Sequence, residues 1–372
     1  MDPELHHIVE RVRAATATAT PLRIRGGDTK AFYGEAVAGE VLDMRPLAGI
    51  VSYEPSELVV TVRAGTPLAE LEACLLAQGQ CLPFEPPHFQ PGGTVGGMVA
   101  AGLAGPARAS VGSVRDYVLG ATLVNGRGEV LSFGGQVMKN VAGYDVSRVL
   151  AGSLGVLGPI TELSLKVLPI APAEATLKFA CTQAEALDLL NGWGGRPLPL
   201  NASCWVQEED NEEDKDGGVG TLYVRLRGAV AAVDAACAQL GGERQPDVAA
   251  DWTACRDLRL PWFTDRRGAQ SLWRLSVPQT TPVLPVAGTP LIEWHGGLRW
   301  YFADSDAAGS ALRDAAHAVG GHATLFDAAE GATASALPRF APLSAPLQRI
   351  HRALQREFDP AGIFNRGRLL AH

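Results

Sequence analysis

The sequence is poor in the residues that build metal centres and disulfide frameworks. Its 372 residues include only six cysteines, and no two of them form a C-x-x-C pair. The eight histidines show no i, i+4 spacing of the kind that binds zinc. We therefore expect no metal site and no iron–sulfur cluster in this chain. Scattered thiols of this kind are typical of buried cysteines in a reducing compartment.

Long apolar runs and an excess of positive charge are also absent. No uncharged stretch of about 18 apolar residues is present, which argues against a membrane-spanning helix. The N-terminal stretch lacks the apolar segment of a secretory signal. A net charge of −8 argues against a nucleic-acid partner, because such binding depends on Lys and Arg that neutralise phosphates. We therefore expect a cytoplasmic protein, with attachment to the inner face of a membrane through partner subunits left open.

The common nucleotide-binding and hydrolytic motifs are missing as well. There is no G-x-x-x-x-G-K-[ST], no G-x-G-x-x-G after a strand and no H-E-x-x-H. This pattern disfavours a P-loop enzyme, a Rossmann enzyme and a zinc protease. Glycine, in contrast, is abundant, with 42 residues in the chain and six of them between Gln90 and Ser110.

Two glycine-rich stretches are candidates for holding a phosphate group. In "RIRGGDTK" (23–30), paired glycines follow a predicted strand, so that backbone amides can converge on an anion. In "QPGGTVGGMVAAG" (90–102), Thr94 is a candidate cap for a short helix, whose N-terminus would favour negative charge. Taken alone, the first stretch is explained about as well by an ordinary strand–turn. The second stretch is explained about as well by close backbone packing without a ligand.

The order of predicted elements indicates two domains and a returning tail. Strands dominate up to about residue 170, with a hairpin predicted at Asn125-Gly126. Beyond "PIAP" (169–172), strands and helices alternate, which is typical of an α+β layer. Near the C-terminus, a helix capped by Ser344 is predicted to place Leu347, Ile350, Leu354 and Phe358 on one face.

Taken in order, these stretches resemble the FAD-binding domain of the vanillyl-alcohol-oxidase type, also called the PCMH type. "RIRGGDTK" and "PGGTVGGMVAAG" are similar to its two pyrophosphate loops, and "ASVGSVRDYVLGATLVNGRGEVL" is similar to the segment that follows them. "GSLGVLGPITELSLKVLP" is similar to its closing strand, whose backbone near Ile160 would lie against the adenine. This resemblance covers residues 21–169.

Other stretches are similar to the FAD-binding subunits of bacterial glycolate oxidase. They are "GGQVMKNVAGYDVSRVLAGSLGVLG" (134–158), "LIEWHGGLRWYFA" (291–303) and "FDPAGIFNRGRL" (358–369). The resemblance implies a two-lobed PCMH-type FAD-binding domain over 1–170. It also implies an α+β cap domain on the substrate side over 171–335, and a helix and tail over 336–372 that return to the FAD domain.

The resemblance also implies a set of cofactor-binding residues. Asp28 stands where covalently flavinylated members carry a histidine, so FAD is expected to bind non-covalently. No metal ligand is implied. The implied FAD-binding residues are Arg25, Gly26, Gly27, Asp28, Thr29, Pro91, Gly92, Gly93, Thr94, Gly96, Gly97, Gly112, Ser113, Val114, Gly155, Ile160, Asn365 and Arg368.

The implied activity is oxidation of glycolate to glyoxylate by an FAD-dependent 2-hydroxy-acid oxidoreductase. The chain would be one subunit, working with a related FAD subunit and an iron–sulfur subunit that carries electrons onward. Arg299 and Arg368 are candidates for holding the substrate carboxylate and His295 is a candidate base, but no catalytic residue is assigned. Catalytic relatives carry an H-x-G-D-G-N-x-H-like metal motif where this chain reads "WHGGLRW". A free-standing FAD-dependent 2-hydroxy-acid dehydrogenase and a non-catalytic flavin or assembly subunit stay open as alternatives.

Overall fold

The computed structural model describes residues 2–135, 145–207, 218–266, 268, 270–329 and 336–369. The expectations placed on the middle of the stretch 134–158 lie outside these described residues. The described helices are α1 (Pro3–Thr18), α2 (Leu68–Leu76), α3 (Val95–Ala101), α4 (Arg108–Val111), α5 (Val114–Tyr117), α6 (Gln183–Gly194), α7 (Val230–Leu240), α8 (Ala249–Arg256), α9 (Pro261–Thr264), α10 (Asp306–Ala318) and α11 (Ala345–Phe358). The described strands are β1 (Leu22–Arg25), β2 (Glu40–Asp43), β3 (Ile50–Glu54), β4 (Val59–Arg63), β5 (Gln80–Cys81), β6 (Val118–Val124), β7 (Val130–Gly134), β8 (Ile160–Lys166), β9 (Leu168–Pro169), β10 (Ala173–Cys181), β11 (Leu200–Val206), β12 (Gly220–Gly228), β13 (Glu243–Gln245), β14 (Ser271–Ser276), β15 (Leu291–Glu293), β16 (Leu298–Ala303) and β17 (His322–Asp327).

The chain packs as two compact units. The first comprises Met1–Leu103, Ser113–Ile170 and Pro342–His372, and the second comprises Ala104–Gly112 and Ala171–Ala341. Helices and antiparallel sheets occur in both units, which confirms the predicted α+β class. The segment 104–112 belongs to the second unit, although it lies inside the predicted FAD-binding domain. The predicted domain boundaries stay predictions.

The first unit is built on a five-stranded antiparallel sheet with the order β3-β4-β8-β6-β7. The predicted hairpin is confirmed, because β6 and β7 pair across Asn125-Gly126. The Asn125 side chain organises the turn: its Oδ1 accepts hydrogen bonds from the amides of Arg127 (2.9 Å) and Glu129 (3.0 Å). Asparagine therefore forms this turn through its side chain.

A smaller two-stranded sheet positions the first glycine pair. β1 and β2 run parallel, and the tail joins β1 through two backbone hydrogen bonds, from Leu22 to Ile363 and from Asn365 to Leu22. Asp2 caps α1 by accepting a hydrogen bond from the Glu4 amide at 2.8 Å, and Pro3 follows it at the first helical position. The apolar face of α1 packs against this sheet and the tail in one buried apolar cluster. Outside α1, the cluster contains Leu22, Leu42, Met44, Leu47, Val124, Ile363 and Phe364.

The second unit is built on an eight-stranded antiparallel sheet with the order β13-β10-β12-β11-β15-β16-β14-β17. α6 and α7 pack on its strands β10, β11 and β12 through one apolar cluster, in which Trp205 is 1% exposed. α10 packs through a second cluster on β14, β16 and β17. This sheet carries the turn at 294–296, which bears candidate residues.

The C-terminal helix α11 differs in part from its prediction. Ser344 occupies the capping position, but its side chain makes no capping hydrogen bond. Phe358 is buried, whereas Leu347 and Ile350 are 47% and 60% exposed. The predicted apolar face is therefore only partly covered within the described residues. Within the described ranges, no helix combines the length and the apolar character needed to cross a lipid bilayer.

Candidate functional site

A narrow cleft of about 110 Å³ opens in the first unit, where β1, the loop after it, α3, the turn before β8 and the tail meet. Twelve of the predicted FAD-binding residues line it, so that segments far apart in the sequence form one site. These twelve are Arg25, Gly26, Gly27, Asp28, Thr29, Thr94, Gly96, Gly97, Gly155, Ile160, Asn365 and Arg368.

The loop from Gly26 to Thr29 offers unused hydrogen-bond donors to this cleft. Its four backbone amides make no hydrogen bond to any other residue in the described ranges. Asp28 has a left-handed backbone conformation (φ +58°), which turns the chain between the glycine pair and Thr29. Successive free amides in such a turn form a concave site for an anion.

The paired glycines of this loop are required by the protein itself. A Cβ atom on Gly27 would collide with the carbonyl oxygen of Gly92, and one on Gly26 would collide with the Thr94 hydroxyl. The two glycine-rich stretches therefore pack directly against each other, as the ligand-free explanation of the sequence had it. The same close packing brings the free amides of the first loop beside α3.

The N-terminus of α3 does not supply free donors, which corrects the expectation drawn from the sequence. The Val95 amide donates to Thr66 O (2.9 Å), and the Gly96 amide donates to Ala64 O (2.8 Å). The third amide, of Gly97, donates to the Thr94 hydroxyl at 3.2 Å, so the predicted cap is present. Because these donors are used internally, the amides that stay available to an anion in the cleft are those of the first loop.

Two neighbouring glycines of α3 have different roles. A Cβ on Gly96 would lie 2.7 Å from the Ala64 Cβ and 3.0 Å from its carbonyl oxygen, so this glycine lets the helix approach the strand. A Cβ on Gly97 would meet only the Thr94 hydroxyl, at 3.1 Å. Gly97 is exposed and lines the cleft, so its missing side chain leaves space for a ligand.

The tail closes one side of the cleft through Asn365 and Arg368. Asn365 Nδ2 donates to Leu154 O (2.7 Å), while its Oδ1 accepts a hydrogen bond from the Ile24 amide (2.8 Å). Arg368 Nη2 donates to carbonyl oxygens of the turn at 30–33, and burial lowers the pKa of this guanidinium. Both residues thus fasten the walls of the cleft through their polar atoms.

The charges of the lining favour an anion. Arg23, Arg25, Lys30 and Arg368 face a single acidic residue, Asp28. Arg23 Nη2 lies 3.6 Å from the Asp28 carboxylate, and Arg25 Nη2 lies 3.7 Å from Asp43. In a chain of net charge −8, this local excess of positive charge distinguishes the cleft.

Six predicted residues lie outside the lining. Gly92 and Gly93 pack beside the first loop, Pro91 precedes them in the chain, and Gly112 belongs to the second unit. Ser113 uses its amide (2.7 Å) and hydroxyl (2.9 Å) on Asp116, and Val114 is fully buried. Sequence reasoning missed ten lining residues. Two of these, Arg23 and Lys30, are basic residues on either side of the glycine pair, and their charge is a signal that could have identified them. The ten are Arg23, Ile24, Lys30, Ala31, Met44, Ala64, Ala100, Ala101, Leu154 and Gly158.

The candidate carboxylate-binding residue Arg299 is occupied by structural contacts. It is fully buried, and it donates to the carbonyl oxygens of Gly296 (3.2 Å), Pro282 (2.7 Å) and Thr281. Burial lowers the pKa of its guanidinium. Arg299 therefore holds backbone in place and does not reach a substrate.

The candidate base His295 is likewise held on both ring nitrogens. Its Nδ1 lies 3.1 Å from the Ser203 hydroxyl, and its Nε2 lies 3.0 Å from the Ser110 hydroxyl. Burial lowers its pKa to about 4, so the imidazole is neutral at neutral pH. A base this weak is poorly matched to taking a hydroxyl proton at neutral pH.

Comparisons with known proteins agree with this geometry. Residues 4–134 match a family described as an FAD binding domain. The chain is 45% identical over 365 residues to glycolate oxidase subunit GlcE of Escherichia coli (strain K12), covering 98% of this chain and 97% of that protein. It is 30% identical over 159 residues to glycolate oxidase subunit GlcD of Bacillus subtilis (strain 168), covering 42% of this chain and 34% of that protein.

Further similarities concern other enzymes. A D-lactate dehydrogenase of Anaerostipes hadrus is 35% identical over 169 residues, covering 45% of this chain and 34% of that enzyme. A solved structure of alkyldihydroxyacetonephosphate synthase superposes with a TM-score of 0.67 at 18% identity, covering 97% of this chain and 74% of that one. This last likeness concerns the fold alone. Together with the family match, it confirms the predicted PCMH-type architecture.

The cofactor prediction of FAD is confirmed by the family match. The cleft fits a phosphate-containing part of that dinucleotide, because free backbone amides and a basic lining face it. Non-covalent attachment stays a prediction. Two of these relatives are named as subunits of glycolate oxidase, which implies an enzyme of several subunits.

Proposed function

Because the chain belongs to the GlcE family of glycolate oxidase subunits, we propose that it is the non-covalent FAD-binding subunit of an enzyme that oxidises glycolate to glyoxylate. The observation that carries this proposal is the loop from Gly26 to Thr29, whose four amides have no acceptor within the described residues. Phosphate oxygens of a dinucleotide provide such acceptors.

The residues of the cleft have distinct roles in this proposal. The loop amides hold the pyrophosphate, and Arg23 and Lys30 add positive charge beside it. Gly97 leaves room along α3, and Ile160 offers apolar surface at the start of β8. Asp28, whose carboxylate lies 3.6 Å from Arg23 Nη2, stands where covalently flavinylated relatives carry a histidine.

When bound, FAD supplies hydride acceptance from a 2-hydroxy acid and onward transfer of electrons. The chain's own part is to bind and orient the cofactor. Arg299 and His295 are engaged with backbone and serine groups, which supports placing glycolate oxidation on a related FAD subunit. An iron–sulfur subunit then takes the electrons onward. A free-standing 2-hydroxy-acid dehydrogenase would instead need substrate-binding groups in this chain.

Anaerobic reduction by glycolate tests the proposal. The chain is loaded with FAD, and flavin absorbance is followed after addition of glycolate, alone and in the complex purified from the native host. We expect bleaching in the complex and none in the isolated chain. Bleaching of the isolated chain would support the free-standing dehydrogenase, and a chain that takes up no FAD would leave only a structural role.

A further inference from the structure

The turn at Trp294 and His295 in the second unit has a strained backbone. Both residues adopt left-handed conformations with φ +54°, and Gly296 follows with φ +95°. Two consecutive non-glycine residues in this region are unfavourable, since each Cβ crowds the following carbonyl group. Such strain persists only where surrounding contacts over-determine it.

Contacts inside the second unit maintain this conformation. The His295 amide donates to the Ser203 hydroxyl at 2.9 Å, and Gln279 Nε2 donates to the Trp294 carbonyl at 3.0 Å. The Trp294 side chain is 3% exposed. The turn is therefore fixed on β11 and on the segment that follows β14, and it directs two side chains toward a third part of the same unit.

That third part is the segment 104–112. Trp294 Nε1 donates to the buried carbonyl of Gly105 at 3.0 Å, and the guanidinium of Arg108 lies 4.4 Å from the centre of the Trp294 ring. His295 Nε2 lies 3.0 Å from the Ser110 hydroxyl. The strained turn thus contacts this segment near both of its ends, at Gly105 and Ser110, and in the middle, at Arg108.

The segment 104–112 follows α3, which forms a wall of the FAD cleft, directly in the chain. α3 ends at Ala101, so only Gly102 and Leu103 separate it from the segment. Neither linking residue is loose, because Leu103 is 5% exposed and the Gly102 amide caps α3 through the Met98 carbonyl at 3.1 Å. Packed residues of this kind are a route by which energetic coupling between two sites is carried.

We propose that Trp294 and His295 are positioning residues for the FAD cleft, acting through the segment 104–112 on the C-terminal end of α3. This inference rests on the proposed function, because its effect is measured on bound FAD. The two residues influence the cleft through the chain connection between the segment 104–112 and α3. Neither of them needs to contact the cofactor.

Paired tryptophan substitutions test the inference. Trp294→Phe removes the indole donor to Gly105, and Trp252→Phe removes a matched buried donor, from Trp252 Nε1 to Thr176 Oγ1 at 2.9 Å, between α8 and β10 of the same unit. We expect Trp294→Phe to raise the dissociation constant for FAD about tenfold. The Trp252→Phe variant should bind FAD like the parent chain. Equal effects of the two variants would overturn the inference.

Ser110→Ala provides a second variant, because an exposed hydroxyl can be removed without threatening the fold. We expect about threefold weaker FAD binding. The control Ser132→Ala removes a hydroxyl that lies 2.9 Å from Thr122 in the β6–β7 hairpin, and it should have no effect on FAD binding. Unchanged FAD binding in Ser110→Ala would count against the role of His295.

Hydrogen exchange separates positioning from simple destabilisation. In the parent chain, FAD should slow exchange of the amides in 104–112, because the coupling is reciprocal. In Trp294→Phe this protection should disappear, while FAD should still protect the loop at 26–29. Persistent protection of 104–112 in the variant would overturn the inference. Failure of the parent chain to bind FAD would instead overturn the proposed function.

Discussion

Gly97 offers the sharpest test of where the cofactor lies. Gly97→Leu places a side chain in the cleft, where its Cβ would meet only the Thr94 hydroxyl at 3.1 Å. The protein itself should tolerate this change, because glycine inside a helix costs about 1 kcal/mol relative to alanine. We therefore expect the unfolding temperature of the FAD-free protein to stay the same or rise.

The cost of Gly97→Leu should appear in FAD binding. Crowding of a packed site by added methylene groups costs about 1–3 kcal/mol, which corresponds to roughly a 5- to 150-fold loss of affinity. The assay is a fluorescence titration of the FAD-free protein with FAD, together with a thermal melt.

Gly96→Ala is the matched control for this prediction. Its Cβ would lie 2.7 Å from the Ala64 Cβ and 3.0 Å from the Ala64 carbonyl, so it should lower the free energy of unfolding by about 1–3 kcal/mol. Undiminished FAD affinity in Gly97→Leu would refute the reasoning that places the ligand along α3.

Three further predictions concern residues whose polar atoms are internally engaged. Arg299→Gln should lower the free energy of unfolding by about 2–4 kcal/mol in urea titrations and leave FAD affinity unchanged, because its guanidinium serves backbone carbonyls. Asn365→Ala leaves the Ile24 amide and the Leu154 carbonyl without partners, so it should destabilise the first unit by about 2–3 kcal/mol and weaken FAD binding, both measurable in one melt with and without FAD. His295 has a folded pKa of about 4, below its usual value, so the unfolded chain binds the proton more readily and stability should fall as pH drops from about 6.5 to about 4. His295→Gln should flatten that slope in melts across this range, and an unchanged slope would contradict the assignment.

The first glycine loop could be predicted from the sequence because its signal is local. A strand followed by paired glycines needs no distant partner to be identified, and Gly26 to Thr29 indeed line the cleft. The hairpin at Asn125 was predictable for the same reason, since the asparagine side chain organises its own turn. In both cases the residues that carry the conformation are within a few positions of one another.

The role of α3 could not be predicted, because its partners are distant in sequence. The acceptors for its first amides, Ala64 and Thr66, lie about thirty residues earlier, and no pattern within 90–102 indicates them. Met44 enters the lining only because β2 pairs with β1. Likewise, the resemblance placed Asn365 at the cofactor, but only the structure shows that its amide group fastens Ile24 to Leu154.

The content and attachment of FAD test the central claim most directly. The purified chain is incubated with FAD, freed of unbound cofactor and precipitated with acid, and the flavin is measured in supernatant and pellet. We predict about one FAD per chain, all of it in the supernatant, because the loop from Gly26 to Thr29 holds the cofactor without a covalent bond. A chain that retains no flavin, or flavin that stays in the pellet, would contradict the account.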